Sequence, residues 1–271
     1  MDLSVVVVTY NSEEYVHNCI SSITRAVSSL DHELFVVDNH STDRTLEFLR
    51  RFPNSLQIIE NRENHGFARA ANQGLRRSSG EFCLLINPDS IIQSDSLEPL
   101  VRFLRSRPHI GICGCKLCNV GGSLQYSKGS FPTLFSTLSR RILPRRMRKY
   151  HLVGYNSVGQ CDWVTGAFMA IRKQLLEKLG YFDENYFIYY EDVDFCLRAR
   201  NAGMKTYYFP QVVTRHFSRR ALSNGNLWIA REIHKSRLYY FQKNRTRISH
   251  AILSFLTHHV EERFFNGNHS G

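Results

Sequence analysis

Five short stretches of this 271-residue chain carry side chains suited to chemistry. Asn87-Pro88-Asp89 follows the apolar run Cys83–Ile86. A carboxylate at the end of a buried strand can hold a divalent cation that bridges two phosphates; the same Asp can also cap the next turn. Glu191-Asp192-Val193-Asp194 sets three carboxylates in four residues, after the aromatic lead-in Tyr186-Phe187-Ile188-Tyr189-Tyr190. Acidic residues at a helix start are favoured by the helix dipole, so a structural role is open to them. Asp192 and Asp194 cannot share a helix face, and an aromatic enclosure raises the basicity of one carboxylate, as a general base requires. Arg215-His216-Phe217 offers an imidazole that can complete a metal site, touch a diphosphate, or serve structure alone. Thr9 and Asn11, then Asp38 and Asn39, end the first two apolar runs in polar groups.

The elements that must position these groups follow from periodicity. Residues 3–9 are β-branched and continuous, the pattern of a strand buried on both faces. Asn11 or Ser12 can cap a helix running to about 29. Further strands are expected at 33–37, 56–60 and 81–86, with helices from about 42 to 52 and from Gly66 to about 79. Four alternations in about ninety residues predict an α/β fold with a parallel, Rossmann-like sheet and right-handed crossovers. In such sheets ligands bind at the carboxyl ends of the strands, which is where the polar residues fall. Beyond this, a helix is expected at 95–107 and strands at 111–117, 123–127, 162–171 and 205–209. Helices are expected at 173–179, ended by Gly180, and at 191–201. Residues 131–150 lack a clear period. The expected organisation is one catalytic domain, 1–221, with halves 1–115 and 116–221, and a basic helical tail, 222–271.

Composition narrows the class. The chain is 42% hydrophobic and 22% charged, which excludes wholesale disorder. No apolar run approaches the roughly 18–20 residues of a membrane span, and the N-terminus lacks a signal-peptide pattern; a cytoplasmic location is expected. The seven cysteines are scattered through apolar runs, as reduced thiols. Cys113, Cys115 and Cys118 crowd together, but no histidine or fourth cysteine follows at zinc spacing.

The net charge of +11 is uneven. Residues 1–100 hold 8 Lys/Arg against 14 Asp/Glu, and residues 214–271 hold 10 against 3. Arg140–Tyr150 and Arg231–Arg247 interleave cations with apolar and aromatic residues. That pattern suits an anionic bilayer, at about 1 kcal/mol per cation, or a solvated helix face. No nucleic-acid recognition signature accompanies it. Nor does a Gly-rich basic loop follow the first strand, as a nucleotidyltransferase would show, and no Gly-x-Gly-x-x-Gly opens the first helix.

Eight motifs in register resemble the inverting family-2 glycosyltransferases of the GT-A fold, in the branch of bacterial rhamnosyltransferases. They are Val7-Val8-Thr9-Tyr10-Asn11, Val36-Val37-Asp38-Asn39-His40-Ser41-Thr42-Asp43, Asn64-His65-Gly66-Phe67-Ala68-Arg69, Leu85-Ile86-Asn87-Pro88-Asp89, Trp163-Val164-Thr165-Gly166-Ala167, Gly180-Tyr181-Phe182-Asp183-Glu184, Tyr190-Glu191-Asp192-Val193-Asp194 and His216. The resemblance implies that Thr9, Asn11 and Asp38 hold the base and ribose of a nucleoside diphosphate. Asn39, Asn64, Arg69 and Asn87 would line the same pocket, although Arg69 could pair on the surface instead. Asn87-Pro88-Asp89 stands where the wider family has Asp-x-Asp, leaving Asp89, with His216, to hold Mg²⁺ or Mn²⁺. Asp192 would be the catalytic base. Trp163, Gly166, Ala167 and Glu191 would border the acceptor and donor-sugar pocket, core packing being the alternative for Trp163. The implied donor is a dTDP- or UDP-linked sugar, dTDP-L-rhamnose first, with galactofuranosyl and other hexosyl transfer as alternatives. The implied acceptor is a cell-envelope or lipid-linked glycan at the inner membrane face. A homodimer is compatible with this. A non-catalytic scaffold subunit is the rival, and would be expected to have lost these acids.

Overall fold

The computed structural model describes residues 1–52, 56–142, 154–217 and 227–265, with side chains except at 139–142 and 257–265. The first part alternates as expected: β1 (Leu3–Thr9), α1 (Val16–Ala26), β2 (His32–Asp38), α2 (Thr45–Leu49), β3 (Leu56–Glu60), α3 (Phe67–Arg77) and β4 (Phe82–Ile86). Neighbouring strands here are all parallel, and Thr9 lies beside Asp38 at the carboxyl edge. Val5 and Val7 pack into the core on one face of the sheet, Val6 and Val8 into that on the other. A continuous run of β-branched residues is what a strand buried on both faces needs.

The second part comprises β5 (Ser90–Ile92), α4 (Glu98–Arg105), β6 (Ile110–Cys118), β7 (Lys128–Gly129), α5 (Leu134–Ile142), β8 (Gly159–Cys161), β9 (Trp163–Val164), β10 (Phe168–Arg172), α6 (Lys173–Leu179), α7 (Glu191–Asn201), β11 (Lys205–His216), α8 (Leu227–Asn244) and α9 (Arg247–Phe265). The main sheet has nine strands in the order β3-β2-β1-β4-β10-β6-β11-β5, with β8 paired to β11. β10 enters antiparallel between β4 and β6, so the sheet is parallel in its first half and mixed beyond. The expected division after residue 115 lies inside β6, and strands from both sides of it share this one sheet.

Several elements depart from the periodicity. The run 162–171 is split into β9 and β10 by the turn Thr165-Gly166-Ala167. The strand expected at 123–127 is reduced to one bridge, Leu124 to Cys118. The last strand does not stop at Pro210: its pairing with β6 is irregular between Phe209 and Val213, then resumes, and it runs to His216. A proline lacks the ladder N–H and is tolerated at such an irregularity. From there Thr214–His216 also pair with β5, a strand too short for periodicity to show. Gly180 ends α6 as expected, in the left-handed region at φ 83°.

The tail is part of the domain. Tyr240, Phe241 and Leu253 are buried in the same core cluster as Phe195 and Leu176, and Leu238 and Tyr239 pack against it. Much of the aromatic content expected to meet a bilayer is therefore spent on the core. The basic run Arg140–Tyr150 lies largely outside the described residues. The cysteines are unpaired, five of them buried, and no cluster of three or more metal-ligating side chains occurs among the described residues. No helix of the described residues is long and apolar enough to cross a membrane.

Candidate active site

One end of the candidate site is built where β1 and β2 stop. Asp38 is 1% exposed, and its Oδ1 accepts from the hydroxyls of Thr9 (3.0 Å) and Ser41 (2.5 Å). Its Oδ2 accepts the Ser41 N–H at 2.9 Å, which leaves further acceptor capacity on that oxygen. Asn11 sits at φ 47°, a strained position for a side-chain-bearing residue. Its Oδ1 takes the Thr42 N–H at 2.7 Å, locking the loop after β1 to the loop after β2.

Asn39 and Asn64 tie the loop after β2 to the start of α3. The Asn39 amide donates to Asn64 Oδ1 (2.7 Å) and Gly66 O (3.2 Å), and accepts from Asn61 Nδ2 and the His65 N–H, both at 3.1 Å. All four of its hydrogen-bonding positions are filled within the protein. Asn64 Oδ1 also accepts the Gly66 N–H at 3.0 Å. Arg69 lies on α3 with Nε 3.9 Å from Glu184, and its side chain is 54% exposed. Gly66 is required at this joint: at φ 80°, a Cβ would stand 2.5 Å from the Phe187 carbonyl oxygen. That carbonyl accepts the Phe67 N–H, tying the joint to the aromatic segment before α7.

At the other end, β5 and β11 bring Asp89 and His216 together although they are far apart in sequence. Asp89 Oδ1 lies 3.2 Å from His216 Nε2, and Asn87 Nδ2 lies 3.4 Å from the same nitrogen. Gln125, which the motifs did not flag, sets the tautomer. Its Nε2 donates to Asn119 Oδ1 and His216 O, both at 2.7 Å, so its Oε1 must accept at 2.9 Å from His216 Nδ1. In the neutral ring Nε2 then carries a lone pair beside both the Asn87 amide and the Asp89 carboxylate, a pair of groups that a cation can share. Two protein ligands plus substrate phosphates are the usual environment of Mg²⁺ at such sites, so the residues fit a divalent ion.

Asp192 is reached through the turn between β9 and β10. The Asn87 N–H donates to Ala167 O at 3.2 Å, and the Gly166 N–H donates to Asp192 Oδ2 at 3.0 Å. Asp192 Oδ1 takes the Val193 N–H at 2.8 Å. Burial pushes the Asp192 carboxyl above its ordinary range, against the opposing pull of these N–H donors and the Thr165 hydroxyl. Glu191 is 4% exposed, and its Oε2 has no hydrogen-bond partner. Burial, then the adjacent Asp192 charge, hold Glu191 well above the usual carboxylate range. The ring of Phe67 is the nearest neighbour to the space a Cβ on Gly166 would fill. Trp163 spends its indole N–H on Ser130 O (2.9 Å) and packs edge-on against Tyr126 at 5.4 Å.

Asp194 stands apart from this group. It is fully buried and accepts from Arg198, Lys243 and Asn244, so the third acid of the cluster is structural.

Similarity to known proteins agrees with this architecture. The model of glycosyl transferase family 2 matches residues 4–180, and the chain belongs to that family. It is 30% identical over 207 residues to the low-salt glycan biosynthesis hexosyltransferase of Haloferax volcanii, covering 75% of this chain and 63% of that protein's length. It is 24% identical over 222 residues to a rhamnosyltransferase of Escherichia coli K12 (79% of this chain, 83% of the other). With the N-acetylglucosaminyl-diphospho-decaprenol L-rhamnosyltransferase of Mycobacterium tuberculosis it shares 26% over 233 residues (79% and 75%). Among solved structures, Staphylococcus aureus TarS 1–349 in complex with UDP-GlcNAc gives a TM-score of 0.62 at 20% identity (99% of this chain, 74% of that one). GalNAc-T7 with UDP, GalNAc and Mn²⁺ gives 0.64 at 15% (89% and 50%). These neighbours establish the GT-A fold.

Proposed function

We propose that the chain moves L-rhamnose from dTDP-rhamnose to a hydroxyl of a lipid-linked or cell-envelope glycan, with inversion at the anomeric carbon. One observation carries the mechanism: the turn Thr165-Gly166-Ala167 joins the two chemical groups of the site. Ala167 O holds the tripeptide bearing Asp89, and Gly166 N holds Asp192. A leaving group at one end and an attacking hydroxyl at the other then flank the same short segment, as an in-line displacement requires.

Asp192 takes the proton from the acceptor hydroxyl as it attacks, and its raised basicity suits that step. Asp89 and His216 would hold Mg²⁺ or Mn²⁺, which supplies positive charge against the departing diphosphate when bound. Asp38 orients the base or ribose through the acceptor capacity left on Oδ2, while Thr9 and Ser41 fix its carboxylate. Asn39 and Asn64 keep the pocket wall in shape. Glu191 and Gly166 bound the space beside the base. The names of the E. coli and M. tuberculosis relatives support rhamnose as the sugar, and the second also points to a lipid-linked N-acetylglucosaminyl diphosphate as acceptor.

Association with an anionic membrane surface is part of the same proposal, carried by a different helix from the one the sequence emphasised. α9 exposes Ile248, Ile252, Phe255 and Leu256 along one side, behind the exposed Arg247. An apolar stripe flanked by cations suits the bilayer interface.

The test is a thermal-shift series of the purified protein with dTDP-rhamnose, UDP-galactofuranose, UDP-glucose, UDP-N-acetylglucosamine and GDP-mannose, each with and without Mn²⁺. A ligand that binds the native state alone raises its melting temperature. A metal-dependent shift greatest with dTDP-rhamnose is expected. A larger shift with a UDP-sugar would overturn the donor assignment, and no shift with any of them would return the scaffold reading.

A further inference from the structure

Between α6 and α7 the chain crosses the active-site face as a strap, residues 183–190, and leads directly into Glu191 and Asp192. The strap is conformationally costly. Tyr189 and Tyr190 both sit at φ 69°, in the left-handed region that residues with a side chain rarely adopt. Such a conformation persists only where neighbours over-determine it.

Those neighbours come from α8. The Trp228 ring meets Phe187 edge-on at 5.8 Å, Tyr239 meets Tyr186 at 4.9 Å, and Tyr240 packs on Tyr190 at 5.5 Å. The Ser236 hydroxyl donates to the Ile188 carbonyl at 2.7 Å. One side of the helix thus follows the strap along its length. Near the end of α8, Lys243 Nζ lies 2.7 Å from Asp183 Oδ2 and 3.0 Å from the Asp194 carboxylate. Asp183 opens the strap; Asp194 lies in the first turn of α7, two residues beyond Asp192. Tyr239 also donates to Asp183, at 3.0 Å, and Asn244 to Asp194, at 2.9 Å. Burial pushes the Asp183 carboxyl up, but hydrogen bonds from Lys243, Asn185 and Tyr239 outweigh it and hold the group at about 2.

We infer that Lys243 is a positioning residue for the catalytic base: by joining Asp183 to Asp194 it pins both ends of the strap. The pinning fixes the angle at which α7 presents Asp192 to the Gly166 N–H. The inference rests on the assignment of Asp192 as the base; the mechanical link from α8 to the Gly166–Asp192 hydrogen bond is testable without it. It also gives the tail a part in catalysis although the family match ends at residue 180.

The experiment compares full-length Lys243→Met and Lys243→Arg with the wild type, by hydrogen exchange at the Gly166 and Val193 amides and by turnover of dTDP-rhamnose. In Lys243→Met, exchange at both amides rises about tenfold and kcat falls about tenfold, as expected when an oriented base is let loose. KM for the donor stays within about twofold, because Thr9, Asp38 and Ser41 are untouched. Arginine, which keeps the charge, restores most of both. Unchanged exchange at Gly166 overturns the inference whatever the turnover. Raised exchange with unchanged kcat also overturns it, and the turnover of Asp192→Asn then shows whether the base assignment has failed too. Should Lys243→Met not fold, Tyr239→Phe removes only one hydroxyl from Asp183; a loss of about threefold in kcat is expected there, and none overturns the inference.

Discussion

Replacing Asp192 by asparagine separates catalysis from structure at this site. In the folded protein each carboxylate oxygen accepts one backbone N–H, from Gly166 at 3.0 Å and from Val193 at 2.8 Å. Asparagine offers one oxygen and one NH₂, so either orientation sets one N–H against another donor. A buried donor left unmatched costs about 1–3 kcal/mol. Against this, the substitution removes a charge that burial disfavours. The two effects oppose, so the melting temperature should stay within about 5 °C of the wild type. The chemistry has no such compensation. Loss of a general base lowers rates by about 10²–10⁴-fold, and at 1.36 kcal/mol per decade that is about 2.7–5.4 kcal/mol of barrier. The assay is release of dTDP from dTDP-rhamnose with a lipid-linked N-acetylglucosaminyl diphosphate as acceptor, beside calorimetric titration of dTDP. Expected are a kcat at least a hundredfold lower and a dTDP affinity within about twofold, since Asp38 and Asp192 share no hydrogen-bond partner. Turnover within tenfold of wild type would refute the assignment of the base.

Other perturbations reach different parts of the site. Glu191 has a raised folded-state pKa, so it contributes no instability below its unfolded value, near 4.3, and destabilises increasingly as pH rises towards the folded value. Glu191→Gln should therefore raise the melting temperature at pH 8 and leave it unchanged at pH 4; an equal gain at both would show that charge is not the cause. In the same variant the acid limb of the kcat–pH profile should stay where it is, because the neutral Glu191 carboxyl places no charge beside Asp192 while Asp192 titrates; a shift of that limb would show that Glu191 ionises first. Gln125→Leu removes the acceptor that fixes His216 Nδ1. It should weaken Mn²⁺ activation about 10–100-fold while dTDP binding without metal is retained, as metal and nucleotide titrations would show. Replacing Ile248 and Ile252 by glutamate should abolish sedimentation with vesicles containing phosphatidylglycerol and leave turnover of a water-soluble acceptor intact; unchanged sedimentation would exclude α9 as the contact.

The sequence made some of these groups legible and hid others for physical reasons. β1 and β2 could be read because a doubly buried strand needs an unbroken apolar run, and Asp38 because it interrupts one. Asp192 was legible as one of three acids, but its separation from Asp194 depends on Lys243 and Asn244, whose helix reaches α7 only in the folded chain. Gln125 gave no signal: glutamine occurs anywhere, and its role exists only because β11 carries His216 to it. Asn39 and Asn64 were recognised as site residues, yet the saturation of Asn39 and the two bonds accepted by Asn64 Oδ1 go with the left-handed joint at Gly66, which no periodicity reports. The packing of Tyr239, Tyr240 and Phe241 against the core was hidden because they look the same on a helix that meets lipid and on one that meets a core. Only the tertiary contact decides.

The pairing of β11 with β5 has a consequence for how the protein is made. Asn87 and His216 meet across 129 positions of chain. At about 5–20 residues per second of synthesis, His216 is made roughly 6–26 s after Asn87. The strands carrying Thr9, Asp38 and Asp89 have all been made well before the imidazole that faces Asp89, and α8 is made later still. The groups proposed to hold the nucleotide are thus made before the imidazole and the helix on which the proposed transfer depends.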